Sequence, residues 1–109
     1  MYEKYIPLSE PSWYILQSID AFPKHGYAIA QDIKDMSNSE ILISNGTLYG
    51  ILKRMEVDKL IETNSEDKKK VYYITPLGKD ILFKEYQRIN RMVSNFQKIN
   101  LKKGEKNEN

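Results

Sequence analysis

The chain has no cysteine, which excludes structural disulfides and thiolate metal sites. It has one histidine, His25, so neither a histidine metal cluster nor a Ser-His-Asp arrangement can be assembled. Its five glycines are scattered and make no phosphate-cradling loop. No nucleophile-base pair is visible, so no enzyme, catalytic residue, metal or cofactor is expected. No apolar run is long enough for a signal peptide or a membrane span; the expected compartment is the cytoplasm, with no membrane partner. A large excess of one charge is also missing. The net charge is +2, too small by itself to point to a polyanion.

What is present is unevenly placed. At 109 residues with 40% apolar side chains, one domain with one modest core is expected. Residues 1–43 carry three lysines against six acids, residues 44–70 six basic groups against five acids, and residues 71–109 eight against four. Basic side chains therefore gather in the later part of the chain, and a local patch is available despite the small total. The most informative stretch is Ser44-Asn45-Gly46-Thr47-Leu48-Tyr49-Gly50-Ile51-Leu52-Lys53-Arg54-Met55-Glu56. Leu48, Leu52 and Met55, with Ile51 beside them, recur as one apolar stripe of a helix. Gly46, Thr47, Gly50, Lys53, Arg54 and Val57 fall on the other side. Ser44 is placed to cap the helix. The outer face is small at its start and cationic further on, which suits close approach to an anionic partner such as a DNA major groove. In isolation, a solvated surface helix would read the same way.

Upstream, residues 1–8 form a short arm. Ser9-Glu10-Pro11-Ser12 reads as a helix start. Trp13, Leu16 and Ile19, with Ile15 alongside, give this first helix a buried face to about Ala21. Residues 22–26 break the chain, and a second helix is expected from about Tyr27 to Met36 with Ile29, Ala30 and Ile33 inward. Residues 40–43 are long enough for a small strand. After the organising helix, which is expected to end near Asp58, residues 60–63 and 71–75 are strand candidates around a polar tip that carries Lys68, Lys69 and Lys70. Three lysines suit an edge strand that must resist pairing as well as a phosphate contact. Tyr72 and Tyr73 point to opposite faces of their strand, so one is expected in the core.

Thr75-Pro76 opens the last helix, which stays helix-compatible to about Lys102. Leu82, Tyr86, Ile89, Val93 and Phe96 are spaced 4, 3, 4, 3, a seam about two heptads long. Ile81, Met92 and Ile99 widen it. A domain this small cannot cover such a stripe, so a second copy of the chain is expected on it. Residues 103–109 are polar and expected to be disordered. The resulting division is an N-terminal arm at 1–8, a winged helix-turn-helix at 9–75, a dimerisation helix at 76–102 and a tail at 103–109. The expected fold class is mainly α with a small β-hairpin: a winged helix-turn-helix plus a long C-terminal helix.

In this order the residues resemble the PadR-type transcriptional regulators in their short form, over about residues 10–100. The carriers are His25-Gly26-Tyr27, Gly46-Thr47-Leu48-Tyr49, Leu52, Arg54-Met55-Glu56, Leu60-Ile61, and Tyr72-Tyr73-Ile74-Thr75 with Gly78. The family often shows Pro-Gly-Thr-Leu-Tyr-Pro, Arg-Leu-Glu, a glycine before Leu-Ile, and Lys-Tyr-Tyr-x-Leu-Thr. Here Asn45 and Gly50 stand for the prolines, Met55 for the leucine, Lys59 for the glycine, Val71 for the lysine and Ile74 for the second leucine. The resemblance implies a homodimeric repressor of double-stranded DNA with an inverted-repeat operator. It places Asn45, Gly46, Thr47, Tyr49, Gly50, Lys53 and Arg54 on the DNA face of the recognition helix, and Lys68, Lys69 and Lys70 on the wing. It also implies a small aromatic effector, for which Trp13, Met92 and Phe96 offer rings and a thioether near the dimer interface. Plain interface packing is the alternative for those three side chains. A winged-helix module that binds protein in place of DNA also stays open. Salt dependence tells the two apart, because phosphate-driven binding falls steeply as salt rises.

Overall fold

The computed structural model describes residues 2–66 and 69–107. A single 3-10 turn, Tyr2–Tyr5, precedes α1 (Glu10–Ala21), α2 (Gly26–Met36), α3 (Asn45–Val57), the hairpin β1 (Ile61–Glu66) and β2 (Lys69–Ile74), and α4 (Pro76–Asn107). The fold is mainly helical, a winged helix-turn-helix with a long final helix.

Local chemistry sets the boundaries. Ser9 Oγ accepts from the Ser12 N–H at 3.2 Å, Ser44 Oγ from the Thr47 N–H at 3.2 Å, and Thr75 Oγ1 from the Gly78 N–H at 3.1 Å. Each satisfies a donor that the first helical turn leaves free. The Thr75 hydroxyl also donates to the Lys59 and Leu60 carbonyls, at 2.6 and 2.9 Å. One side chain thus starts α4 and ties it to the chain leaving α3. Gly78 makes that crossing possible, because a β-carbon there would run into the Leu60 carbonyl oxygen. Lys59, with a φ of 66°, holds the left-handed position that follows α3. Glycine takes that conformation most easily, which explains why the family pattern keeps one at this point.

Ile15, Leu16 and Ile19 of α1, Ile29 and Ile33 of α2, and Leu48, Leu52 and Met55 of α3 meet in one core. Leu60, Ile61 and Tyr72 close it from the hairpin, and Ile81 and Leu82 from α4. Each such burial contributes ~1.5–3 kcal/mol, so packed faces rather than helix propensity hold these short helices. Lys24, only 6% exposed, pairs with Asp32, which also accepts from Ser18 Oγ at 2.7 Å. Burial pushes the Asp32 carboxyl up, but the Lys24 and Ser18 hydrogen bonds outweigh it and hold the group below its ordinary range. Among the described residues every buried side-chain polar atom has a partner.

Several expectations are corrected. Residues 40–43 form no strand. Ile41 and Ile43 pack against the core while Leu42 is 73% exposed, so the alternation is real but no sheet edge lies beside it. That edge is taken by Lys24, whose N–H donates to the Tyr72 carbonyl at 3.4 Å while the Tyr72 N–H donates back at 2.9 Å. The polar tip of the hairpin is shorter than expected, since Asn64 pairs with Val71, Ser65 with Lys70 and Glu66 with Lys69 in the antiparallel ladder. The N-terminal arm, for its part, is fastened to the body, because Tyr5 belongs to the core. α4 passes the expected stop near Lys102 and runs to Asn107. The lysines there are good helix formers, and Gly104 costs about 1 kcal/mol, too little to end a helix of this length.

Leu82 is a further correction. It is buried in the protomer's own core, with Gly78, Ile81 and Glu85 on the same side of α4. The stripe runs on past this point uncovered. Tyr86 is 52% exposed, Val93 49% and Phe96 68%, and Ile89 is half-buried. A helix of 32 residues is about 48 Å long. Only its first turns lie on the body, which is why the molecule measures 66 × 30 × 21 Å.

Candidate nucleic-acid interface

α3 turns Leu48, Leu52 and Met55 to the core. At 100° per residue, the line directly opposite is Gly46, Gly50, Lys53 and Val57, and all four are exposed. Thr47, Tyr49 and Arg54 flank that line and are exposed as well; Asn45, in the first turn, is exposed but lies nearer the core side of the helix. Six of the seven positions expected on this helix are therefore brought to one outward surface, and Asn45 lies off it at the helix start. The two flanks differ. Thr47 and Arg54 lie on the side of the N-terminal arm, where Arg54 lines a crevice with Lys4 and Tyr5. Tyr49 lies on the side of the wing. The Thr47 hydroxyl accepts from Ser44 Oγ at 3.0 Å, and its own proton stays available. Glu56, the one acid within α3, is turned back to Thr63, whose Oγ1 donates to it at 2.8 Å.

The two glycines of the ridge stand out energetically. A β-carbon at Gly46 or Gly50 would have nothing within 4 Å, and neither residue has a positive φ. A helical glycine costs about 1 kcal/mol relative to alanine. Nothing among the described residues offsets that cost. Gly26 shows the contrast: a β-carbon there would lie 2.5 Å from the Tyr49 hydroxyl and 2.8–2.9 Å from its ring. The Tyr49 ring lies over the first residue of α2, and Tyr49 remains 46% exposed. The side chain is thus partly packed and partly open to solvent.

Beside Tyr49 the structure opens a groove of about 460 Å³ lined by His25, Gly26, Tyr27, Tyr49, Lys69, Lys70 and Tyr72. Lys69 and Lys70 bring the wing to the flank of α3; Lys68 lies outside the described residues. The described lining holds two lysines, an imidazole and three phenols, with no carboxylate. Burial pushes the Tyr72 phenol up, with Tyr49 and Glu56 adding to it, so the group stays a protonated donor. His25 Nδ1 donates to the Lys70 carbonyl at 2.9 Å, and its ring stacks with Tyr27 at 6.0 Å between centroids. The start of α2 is thereby fastened to the wing. The sequence marks His25 as a turn residue and Tyr27 as a helix start, and it does not place either on this surface. The compact motif His25-Gly26-Tyr27 is the one signal that points to them.

The remaining site expectations lie on α4 and α1. Trp13 is half-buried against the core, whereas Met92 and Phe96 are exposed on the projecting half of α4. Among the described residues, no group of three His, Cys, Asp or Glu could hold a metal ion. No helix among them is long and apolar enough to cross a membrane.

Comparison with known proteins agrees with this geometry. A family model described as the transcriptional regulator PadR-like family matches residues 15–84. An uncharacterized protein of Lysinibacillus sphaericus is 33% identical, over 75% of this chain and 83% of that protein. A PadR-like transcriptional regulator from Bacillus cereus has the same fold with a TM-score of 0.71 at 23% identity, over 91% of this chain and 94% of that one. A PadR family transcription regulator from Clostridium difficile matches with a TM-score of 0.64 at 28% identity, over 82% and 99%.

Proposed function

The chain belongs to the PadR-like family of transcriptional regulators, and from that premise we propose that it binds double-stranded DNA as a homodimeric repressor. The outward ridge of α3 enters the major groove, and Lys69 and Lys70 meet the backbone beside it from the wing. Lys53 and Arg54 neutralise phosphates, so they supply affinity more than sequence choice. The second copy lies along Tyr86, Ile89, Val93 and Phe96, the exposed continuation of the α4 stripe. A two-fold dimer of this kind reads an inverted repeat whose half-site centres lie about one helical turn apart, roughly 10 bp, or a multiple of it. A small planar aromatic molecule releases it, held where Trp13, Met92 and Phe96 meet a second chain.

The observation that carries this reading is the pair of unsupported glycines, Gly46 and Gly50. Their cost makes sense if another surface comes close to the helix at those points. The test is a double variant, Gly46→Ala with Gly50→Ala. Folding stability is expected to rise, by about 1 kcal/mol at Gly50 in the helix interior and by less at Gly46 in the first turn. Affinity for the DNA upstream of the protein's own gene, measured by gel shift at two salt concentrations, is expected to fall. If stability and DNA affinity rise together, the ridge is not the contact face. If wild-type binding is indifferent to salt, the module binds protein and not a phosphate backbone.

A further inference from the structure

Residues 4–8 reach two carboxylates: Asp58, whose side-chain partners among the described residues come from the arm, and Glu85, which the arm shares with Arg88. The first is Asp58, the C-cap of α3. An anion there faces the negative end of the helix dipole. The arm offsets this: Lys4 Nζ lies 2.8 Å from Asp58 Oδ2, and the Tyr5 hydroxyl donates to the same oxygen. Lys4, and after it Tyr5, holds the Asp58 carboxyl below its ordinary range. The second is Glu85, fully buried on α4. The Leu8 N–H donates to Glu85 Oε2 at 2.6 Å. Arg88 grips the same carboxylate twice, from Nε at 2.6 Å and from its terminal nitrogen at 2.9 Å. The Arg88 bond is the main cause that keeps Glu85 ionised, and the Leu8 N–H adds to it.

The places of these two carboxylates matter. Asp58 closes the helix that carries the candidate DNA ridge. Glu85 sits immediately before Tyr86, where α4 leaves the body and its exposed stripe begins. Leu8 is only three steps along the chain from Tyr5, a span of at most about 10 Å even when fully extended. With Tyr5 in the core, that short segment has little slack.

We propose that residues 4–8 are a tie between α3 and α4 that fixes the angle of the recognition helix to the dimerisation helix, and so sets the half-site spacing a dimer accepts. This rests on the dimeric DNA-binding reading above. Lys4, Tyr5 and Leu8 act here as positioning residues and touch no DNA. Beyond Glu85 the helix is a continuous rod, so any play at the tie is carried to the partner protomer. A firm tie admits one spacing; a loose one admits several.

The test uses the full chain and a library of inverted-repeat duplexes whose spacer varies by single base pairs, selected first with wild-type protein. Lys4→Ala with Tyr5→Phe removes both partners of Asp58 and keeps the ring in the core. Asp58→Asn reaches the same tie from the other side. Both variants are expected to remain dimers by sedimentation and to bind an isolated half-site within twofold of wild type. Their preference for the best spacer over spacers one base pair longer or shorter is expected to fall at least tenfold. An unchanged spacer preference overturns the proposal. So does an equal loss of affinity for every spacer and for the half-site, which would mark the arm as support for the fold alone. A wild-type dimer that binds duplexes with no spacer preference overturns it while sparing the DNA reading. A wild-type chain that binds no duplex overturns that reading and the tie with it.

Discussion

α3 and the second half of α4 both present a face that the protomer does not cover, and the two faces are chemically opposite. On α3 the uncovered line is Gly46, Gly50, Lys53 and Val57, small then cationic, with hydroxyls and an arginine on its flanks. On α4 it is Tyr86, Met92, Val93, Phe96 and Ile99, large and apolar. An exposed apolar stripe of this size loses free energy until something dry covers it. A glycine-lined cationic ridge is content in water and gains by exchanging counterions for phosphates. Exposure alone says little; the kind of side chain exposed decides which partner fits.

The contrast breaks most severely if a charge is put into the dry face. Val93→Asp is expected to weaken self-association at least a hundredfold, since an uncompensated buried charge costs ~3–5 kcal/mol and each 1.4 kcal/mol is tenfold. Sedimentation against concentration measures this, with circular dichroism to show that the helices persist. A folded variant that stays dimeric would remove α4 as the interface. The wet face should respond more mildly. Lys53→Ala with Arg54→Ala is expected to lower affinity for all duplexes about tenfold or more and to flatten the log-log salt slope of the dimer by up to about 3.6, at about 0.9 for each of the four phosphates that its two protomers no longer neutralise. Equal binding by parent and variant would mean that the DNA face lies elsewhere. The smallest expected effect asks whether the dry face is wholly dry packing. Trp13 is the only tryptophan, so its emission can be followed while planar aromatic compounds are titrated. A shift in emission matched by a drop in DNA affinity is expected from the effector reading. A broad panel with neither response would leave these residues as interface packing.

Much of the fold was legible because it is written locally. Ser9, Ser44 and Thr75 cap their helices within three residues of themselves, and the stripe Leu48, Leu52, Met55 declares its buried face without reference to anything distant. The outward face of α3 follows from the same periodicity, as its complement. What stayed hidden depends on partners far away in sequence. Tyr5 bonds to a residue 53 positions on and Leu8 to one 77 positions on, so the arm could not be read as anything but an arm. Residues 40–43 have the apolar content of a strand, but a strand needs a free edge, and Lys24 occupies it. Leu82 keeps the 4-3 rhythm of the seam perfectly well. Periodicity cannot say where along a helix the body of the protein ends, and so it could not separate Leu82, inside, from Tyr86, outside.

The uncovered half of α4 also has a meaning in amounts. A single chain carries Val93 and Phe96 in water, and on the proposed reading it hides them against another chain. On the dimeric reading, scarce chains are mostly single, and the number of pairs grows as the square of the number of chains. Halving the supply would then cut occupancy of a paired site to about a quarter. On that reading a stripe of side chains that looks like a packing problem would turn a gradual change in how much protein is made into a steeper change in how much of its target is held.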